Sequence, residues 1–125
     1  GGQSINVNSS AGKYDPPMPA DQGAWGYAYG ASKAALARLS GCITVEHGRE
    51  GVRAFTVNPG LVSTEAVTAS LGEGGALEQR FGAMTPQAIA DALVWLATDP
   101  AAAPLAASHR MLELPELIRE GRARA

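Results

Sequence analysis

The chain has little of several things, and each scarcity excludes something. Cys42 is its only cysteine, so no intramolecular disulfide can form, which fits a reducing compartment. No apolar run approaches the ~18 residues that a membrane-spanning helix needs. The opening residues Gly1-Gly2-Gln3-Ser4 lack the basic and apolar segments of a secretory signal, and there is no initiator Met. A strand pattern begins almost at once, so the chain is expected to start in the middle of a domain. A formal net charge of −2 gives no electrostatic reason to expect nucleic acid or an anionic membrane as a partner. Arg119, Arg122 and Arg124 form the single basic cluster and read as a solvated tail. His47 and His109 lie far apart, without Cys or paired carboxylates at ligand spacing, so no metal site is expected. His47, near a helix end, reads instead as a complement to the helix dipole. Cys42 has no neighbouring His or cationic cluster and reads as a small core residue.

What is present suits a folded domain. A chain of 125 residues that is 46% hydrophobic and 18% charged can build one core and is not a disordered composition. Ser4 to Asn8 alternates polar and apolar residues, which predicts a short strand ending in the turn-like cluster Ser9-Ser10-Ala11-Gly12. Residues 13–26 form a loop, because Pro16, Pro17 and Pro19 forbid a regular helix or central strand there. Tyr27 to His47 reads as one helix with Ala35, Leu36, Leu39, Ile43 and Glu46 on a face, and Gly48 and Gly51 end it. Small residues crowd its first half, so another backbone can approach closely. Val52 to Val57 is a second strand, apolar enough to be covered on both faces as in a parallel sheet. Two strands joined by a long helix make a right-handed crossover the expected connection.

Beyond Asn58-Pro59-Gly60, the glycine-rich stretch 64–84 reads as a lid over a substrate. Thr85-Pro86 starts a helix with Ile89, Ala92, Leu93 and Leu96 inward, and Asp99-Pro100 ends it. Ala101 to Ala107 is expected to be a loop, His109 to Leu114 a third strand, and Leu117 to Arg124 a frayed helix within the tail 115–125.

The chemistry gathers at Tyr29 and Lys33. Four residues apart, they share one helix face. A phenol with an ordinary pKa of about 10 exchanges protons poorly near neutrality, and a cation held beside it favours the phenolate. A Tyr and a Lys at this spacing occur by chance in many helices. The setting adds weight here: a strand ending in serines precedes the pair and a strand ending in Pro-Gly follows it. Parallel α/β sheets bind ligands at the carboxyl ends of their strands, and all three elements deliver polar residues to that edge.

In these residues the chain resembles the short-chain dehydrogenase/reductase family. The family's Tyr-x-x-x-Lys signature is present as Tyr29 and Lys33. Its serine turn is present as Asn6-Val7-Asn8-Ser9-Ser10-Ala11-Gly12, and its Pro-Gly turn as Asn58-Pro59-Gly60-Leu61-Val62-Ser63-Thr64. The resemblance implies an α/β fold, the C-terminal part of a Rossmann-like doubly wound parallel sheet, without the half that binds the cofactor phosphates. It implies NAD or NADP as cofactor and hydride transfer between a carbonyl and an alcohol of a small-molecule substrate. Tyr29 would exchange the proton, Lys33 would assist its ionisation and hold the nicotinamide ribose, and Ser9 would hold the substrate oxygen, with Ser10 as the alternative serine. Pro59 and Gly60 would pass beside the nicotinamide, Val62 would offer its backbone to the carboxamide, and Thr64 its hydroxyl to the carboxamide or a phosphate. A cytoplasmic homo-oligomer paired through the catalytic helix is the family's expectation.

Three departures accompany the resemblance. No Gly-rich turn follows a strand: Gly72-Glu73-Gly74-Gly75 has none before it. The family's catalytic Asn, on an earlier helix, also lies outside this chain. The stretch from Ser9 to Tyr29 is longer than usual, and Tyr14, Trp25 and Tyr27 in or beside its loop can shape a pocket or simply pack. The usual Asp-Gly-Gly after the last strand is replaced by Leu112-Glu113-Leu114-Pro115-Glu116. A non-catalytic scaffold or nucleotide sensor of the same fold remains an alternative, as does a sugar-nucleotide epimerase or dehydratase. Exposed apolar surface is expected where the rest of the sheet would pack. The isolated 125-residue chain is expected to bind NAD(H) and NADP(H) weakly; tight binding in a calorimetric titration would contradict this.

Overall fold

Two parallel strands joined by a helical connection organise the first part of the chain. The computed structural model describes residues 2–62, 83–106 and 111–122. β1 (Gln3–Val7) pairs with β2 (Arg53–Asn58) in parallel, with Ile5 opposite Phe55 and Val7 opposite Val57. Both strands lie within one residue of their predicted spans. Ala54 to Asn58 are each no more than 5% exposed. Successive strand residues face opposite sides, so unbroken burial means that β2 is covered on both faces, as its continuous apolar run predicts. β3 (Met111–Glu113) neighbours β2 on the side away from β1. It is shorter than predicted, and His109 lies outside the described residues.

The single helix predicted over 27–47 is two. α1 (Tyr27–Ala37) and α2 (Leu39–His47) meet at Arg38, whose N–H bonds back to the Ala35 carbonyl at 3.1 Å. That bond reaches three residues rather than four, a local 3₁₀ tightening that interrupts the regular ladder. The inward face of α2 also differs from the predicted one. Its buried residue is Ser40, whose Oγ shares a hydrogen bond of 2.7 Å with Thr56 Oγ1 on β2. Leu39 and Val45, 42% and 76% exposed, point outward together with Ala35 and Glu46. Apolar periodicity misses this face because the helix meets β2 through a hydroxyl pair. Cys42 is exposed, not a core residue, because Ser40, Ile43 and Thr44 occupy the inward positions around it. Thr44 Oγ1 donates to the Ser40 carbonyl at 2.8 Å.

The chain divides into two compact units, Gly1–Asn58 with Ala103–Leu112, and Pro59–Ala102 with Glu113–Ala125. The first holds β1, α1, α2, β2, the start of β3 and the short helix α4 (Ala103–Ala106). The second is built on α3 (Pro86–Thr98) and α5 (Leu114–Arg119). α3 starts as predicted: Thr85 Oγ1 accepts the Ala88 N–H at 3.2 Å and Pro86 opens the first turn. Its buried face is Ile89, Ala92, Trp95 and Leu96, with Leu93 only half-buried. α3 packs on α5, which buries Leu114 and Leu117. α5 starts earlier than predicted because a proline is tolerated in a first turn, and Pro115 sits there. The predicted loop over 101–107 is largely helical, a 3₁₀ turn over Pro100–Ala102 followed by α4. Alanine, the strongest helix former, accounts for this. Among the described residues no helix is long and apolar enough to cross a membrane.

Ser40→Ala deprives a buried Thr56 hydroxyl of its short partner and is expected to cost about 1–3 kcal/mol. Adding Thr56→Val should cost less than the sum of the two single changes, because neither hydroxyl is then stranded. Urea denaturation of the four proteins checks both expectations.

Candidate active site

The site is built at the carboxyl end of β1. Asn8 continues the sheet through its N–H to the Val57 carbonyl at 2.7 Å and is only 3% exposed. Ser9 is extended and caps a 3₁₀ turn over Ser10–Gly12, its Oγ accepting the Ala11 N–H at 3.0 Å. Ser10 Oγ accepts from Asn58 Nδ2 at 3.0 Å, which ties the end of β1 to the end of β2. The two serines therefore have different surroundings. Ser10 is engaged by the neighbouring strand end, whereas Ser9 Oγ accepts a local backbone bond and keeps its own proton to donate.

α1 packs directly on this turn. A Cβ placed on Gly12 would lie 2.6 Å from Asn8 Oδ1 and 2.9 Å from both the carbonyl carbon and oxygen of Lys33. Only glycine lets the turn and the helix backbone meet there. The small-residue character of α1 works in the same direction, since a Cβ on Gly30 would lie 3.4 Å from the Ala11 carbonyl oxygen. Asn8 spans the contact: its Nδ2 donates to the Lys33 carbonyl at 2.8 Å and its Oδ1 accepts the Ser9 N–H at 2.8 Å.

On the exposed side of α1, Lys33 and Tyr29 come together as their spacing predicts. Lys33 Nζ lies 5.7 Å from the centroid of the Tyr29 ring, within cation–π range, and 3.4 Å from the Val7 carbonyl oxygen. Tyr29 is 48% exposed. The arrangement gathers a cation, a phenol and a serine turn around the end of one strand. Tyr14, Trp25 and Tyr27 line a cavity of about 440 Å³ beside Gly30 and Ala34 of α1. His47 pairs with Glu50 on the surface, Nδ1 to Oε1 3.2 Å, in addition to its place at the end of α2.

Pro59, Gly60 and Val62 follow Asn58 in the second unit. Gly60 has φ +69°, a left-handed conformation that favours glycine, and a Cβ there would lie 3.0 Å from Pro115 Cγ. Val62 forms a parallel bridge with Met84, and the Met84 N–H bonds to the Leu61 carbonyl at 2.9 Å. Thr64 lies outside the described residues, as does the expected lid apart from Ala83 and Met84. Sequence reasoning missed Asn8. Its signal was a polar residue at the end of a strand, one that requires a partner once buried.

Parallel strands joined through helices place the chain among α/β proteins of Rossmann type, and comparison with known proteins agrees. A family model described as Enoyl-(Acyl carrier protein) reductase matches residues 1–107. A protein of Aspergillus oryzae named short chain dehydrogenase/reductase astE is 34% identical over 82 residues, 59% of this chain and 31% of that protein. The structure of an oxidoreductase of the short-chain dehydrogenase/reductase family from Burkholderia thailandensis matches with a TM-score of 0.63 and 27% identity, covering 95% of this chain and 45% of that one. A 4-hydroxyisoleucine dehydrogenase complexed with NADH matches at 0.55 and 27% identity, over 80% of this chain and 40% of that one. The landomycin C-6 ketoreductase LanV with bound NADP and rabelomycin, 24% identical, shares the fold at 0.60, over 90% of this chain and 39% of its own. The chain belongs to the short-chain dehydrogenase/reductase family. It spans less than half the length of each of these relatives, and its parallel sheet corresponds to part of their Rossmann-type sheet.

Gly12→Ala is expected to destabilise by about 1–3 kcal/mol through overpacking against Lys33 and Asn8. Gly48→Ala serves as the control: its backbone is helical and the new Cβ would meet Thr44 Cγ2 at an ordinary 3.8 Å. That change should be neutral or stabilising by about 0.4–1 kcal/mol, and thermal unfolding of both variants checks the contrast.

Proposed function

We propose that the protein containing this chain is an NAD(P)-dependent oxidoreductase that interconverts a carbonyl and an alcohol on a small molecule, with Ser9, Tyr29 and Lys33 as its proton-handling site. The observation that carries the reading is the Lys33 ammonium 5.7 Å from the Tyr29 ring centroid, on a helix whose backbone is bonded to the residue preceding Ser9. The family membership and the alcohol chemistry in the name of a relative 27% identical support it.

The donor set suits the nicotinamide end of NAD or NADP. Lys33 has three N–H donors, of which the Val7 carbonyl takes one, and Tyr29 is about half-exposed. Together these groups match the neighbouring hydroxyls of a ribose. When bound, the nicotinamide supplies or accepts the hydride. Tyr29 gives its hydroxyl proton to the carbonyl oxygen in reduction and takes a proton from the alcohol in oxidation. Lys33 stands beside the phenol as a cation over its ring. Ser9 donates its hydroxyl proton in a hydrogen bond to the same substrate oxygen, where negative charge develops. Ser9 is preferred to Ser10 because the Ser10 hydroxyl is engaged by Asn58. By the family resemblance Pro59, Gly60 and the Val62 backbone would serve the nicotinamide end of the cofactor, and the Thr64 hydroxyl its carboxamide or a phosphate. A homo-oligomer paired through the catalytic helix fits the exposed Leu39 and Val45 on adjoining α2. The lone cysteine fits the cytoplasm.

In the whole protein, Tyr29→Phe should lower kcat by roughly 10²–10⁴-fold while cofactor affinity stays within about threefold. Unchanged turnover in Tyr29→Phe would overturn the site, and a wild-type protein without turnover on any carbonyl or alcohol would point to a scaffold or nucleotide sensor. Ser9→Ala should lose roughly 10²–10³-fold in kcat. Ser10→Ala should instead lose about 1 kcal/mol of stability with kcat nearly unchanged. Steady-state kinetics with chemical denaturation separates the two serines.

A further inference from the structure

We infer that Asn8 is a positioning residue for this site: its buried side-chain amide sets the serine turn against the helix that bears Tyr29 and Lys33. The inference rests on the oxidoreductase reading above and adds to it a residue outside the Ser-Tyr-Lys set.

Asn8 makes three bonds to three different elements. Its main-chain N–H reaches Val57 on β2 at 2.7 Å, its Oδ1 takes the N–H of Ser9 at 2.8 Å, and its Nδ2 reaches the Lys33 carbonyl of α1 at 2.8 Å. The side chain must accept on one side and donate on the other, which a primary amide does and a carboxylate or an aliphatic group does not. Its orientation is fixed by its partners. A flipped amide would set its NH₂ against the Ser9 N–H and its oxygen against the Lys33 carbonyl, two repulsions in place of two bonds. The side chain also has no room to swing away, because Gly12 already approaches Oδ1 so closely that a Cβ there would lie at 2.6 Å. Asn8 is 3% exposed, so water does not stand in for either partner.

The consequence is geometric. The Ser9 backbone determines where its hydroxyl stands, and the Lys33 backbone determines where the helix presents the phenol and the ammonium. The amide joins those two backbones across 25 residues of sequence. Proton transfer needs reacting groups placed to within fractions of an ångström, and about 1 Å of misplacement costs on the order of 10²-fold in rate. Asn8 therefore acts on kcat by setting the Ser9 hydroxyl in register with the helix that bears Tyr29, without touching substrate or cofactor.

The test uses the whole protein with its cofactor and a carbonyl substrate that it turns over. Asn8→Asp keeps the shape and the acceptor for Ser9 but places a carboxylate oxygen against the Lys33 carbonyl. It should lower kcat by roughly 10–100-fold with KM and cofactor Kd within about threefold. In a Ser9→Ala background the same change should lower kcat by less than about threefold, because the group being positioned is gone. A kcat unchanged by Asn8→Asp, or a full additional loss in the Ser9→Ala background, overturns the inference and leaves the Ser-Tyr-Lys reading intact. Full activity of Tyr29→Phe overturns both. Should Asn8→Asp fail to fold, hydrogen exchange in the unsubstituted protein decides: the Ser9 amide should exchange at least about 100-fold slower than in an open loop, and exchange at the open-loop rate overturns the inference.

Discussion

The turn after β1 lies against the backbone of α1 because Gly12 has no side chain, and most of the site depends on that approach. Once the Lys33 carbonyl and the turn are this close, water is excluded and any polar group caught between them must be paired within the protein. Asn8 supplies the pairing with one amide. A donor or acceptor stranded there would cost about 1–3 kcal/mol, comparable with a sizeable part of a small domain's net stability. The constraint is thus double: glycine creates the contact and asparagine completes it. The distance from serine turn to phenol-bearing helix is fixed by main-chain and short side-chain atoms, not by long flexible groups.

A second layer of polar pairs holds the frame around that contact. Ser40 meets Thr56 across the interface of α2 and β2, and Ser10 meets Asn58 across the ends of β1 and β2. Burial of Phe55 and Val57, at about 1.5–3 kcal/mol each, supplies bulk stability to the strand they share. The hydrogen bonds add less energy but select which helix face and which strand ends come together. Short polar side chains at the carboxyl edge of a parallel sheet therefore serve the fold at the edge where the proposed site lies. The same edge is where ligands bind in open α/β sheets.

The division of tasks follows from this layering. The first unit carries the residues proposed to handle protons: Tyr29 and Lys33 on α1, and Ser9 at the turn that follows β1. The second unit opens with Pro59 and Gly60, where a positive φ and the nearby Pro115 ring leave room only for glycine. Among the described residues of that unit, α3 buries Ile89, Ala92, Trp95 and Leu96, and α5 buries Leu114 and Leu117.

Much was legible in the residues alone, and what was legible is local. The pairing of Tyr29 with Lys33 follows from helix pitch, the start of α3 from Thr85-Pro86, and the covered strand from an unbroken apolar run. Each signal lies within a few residues, so chain stereochemistry and burial preference were enough to read it. The break at Arg38, the inward turn of Ser40, the outward turn of Cys42, the different partners of Ser9 and Ser10 and the bridging amide of Asn8 were not legible. Asn8 meets Lys33 across 25 residues and Ser10 meets Asn58 across 48. A short polar side chain shows nothing in its own sequence neighbourhood of whether it will face water or a partner. Only the packing of distant segments removes the water and makes the partner obligatory.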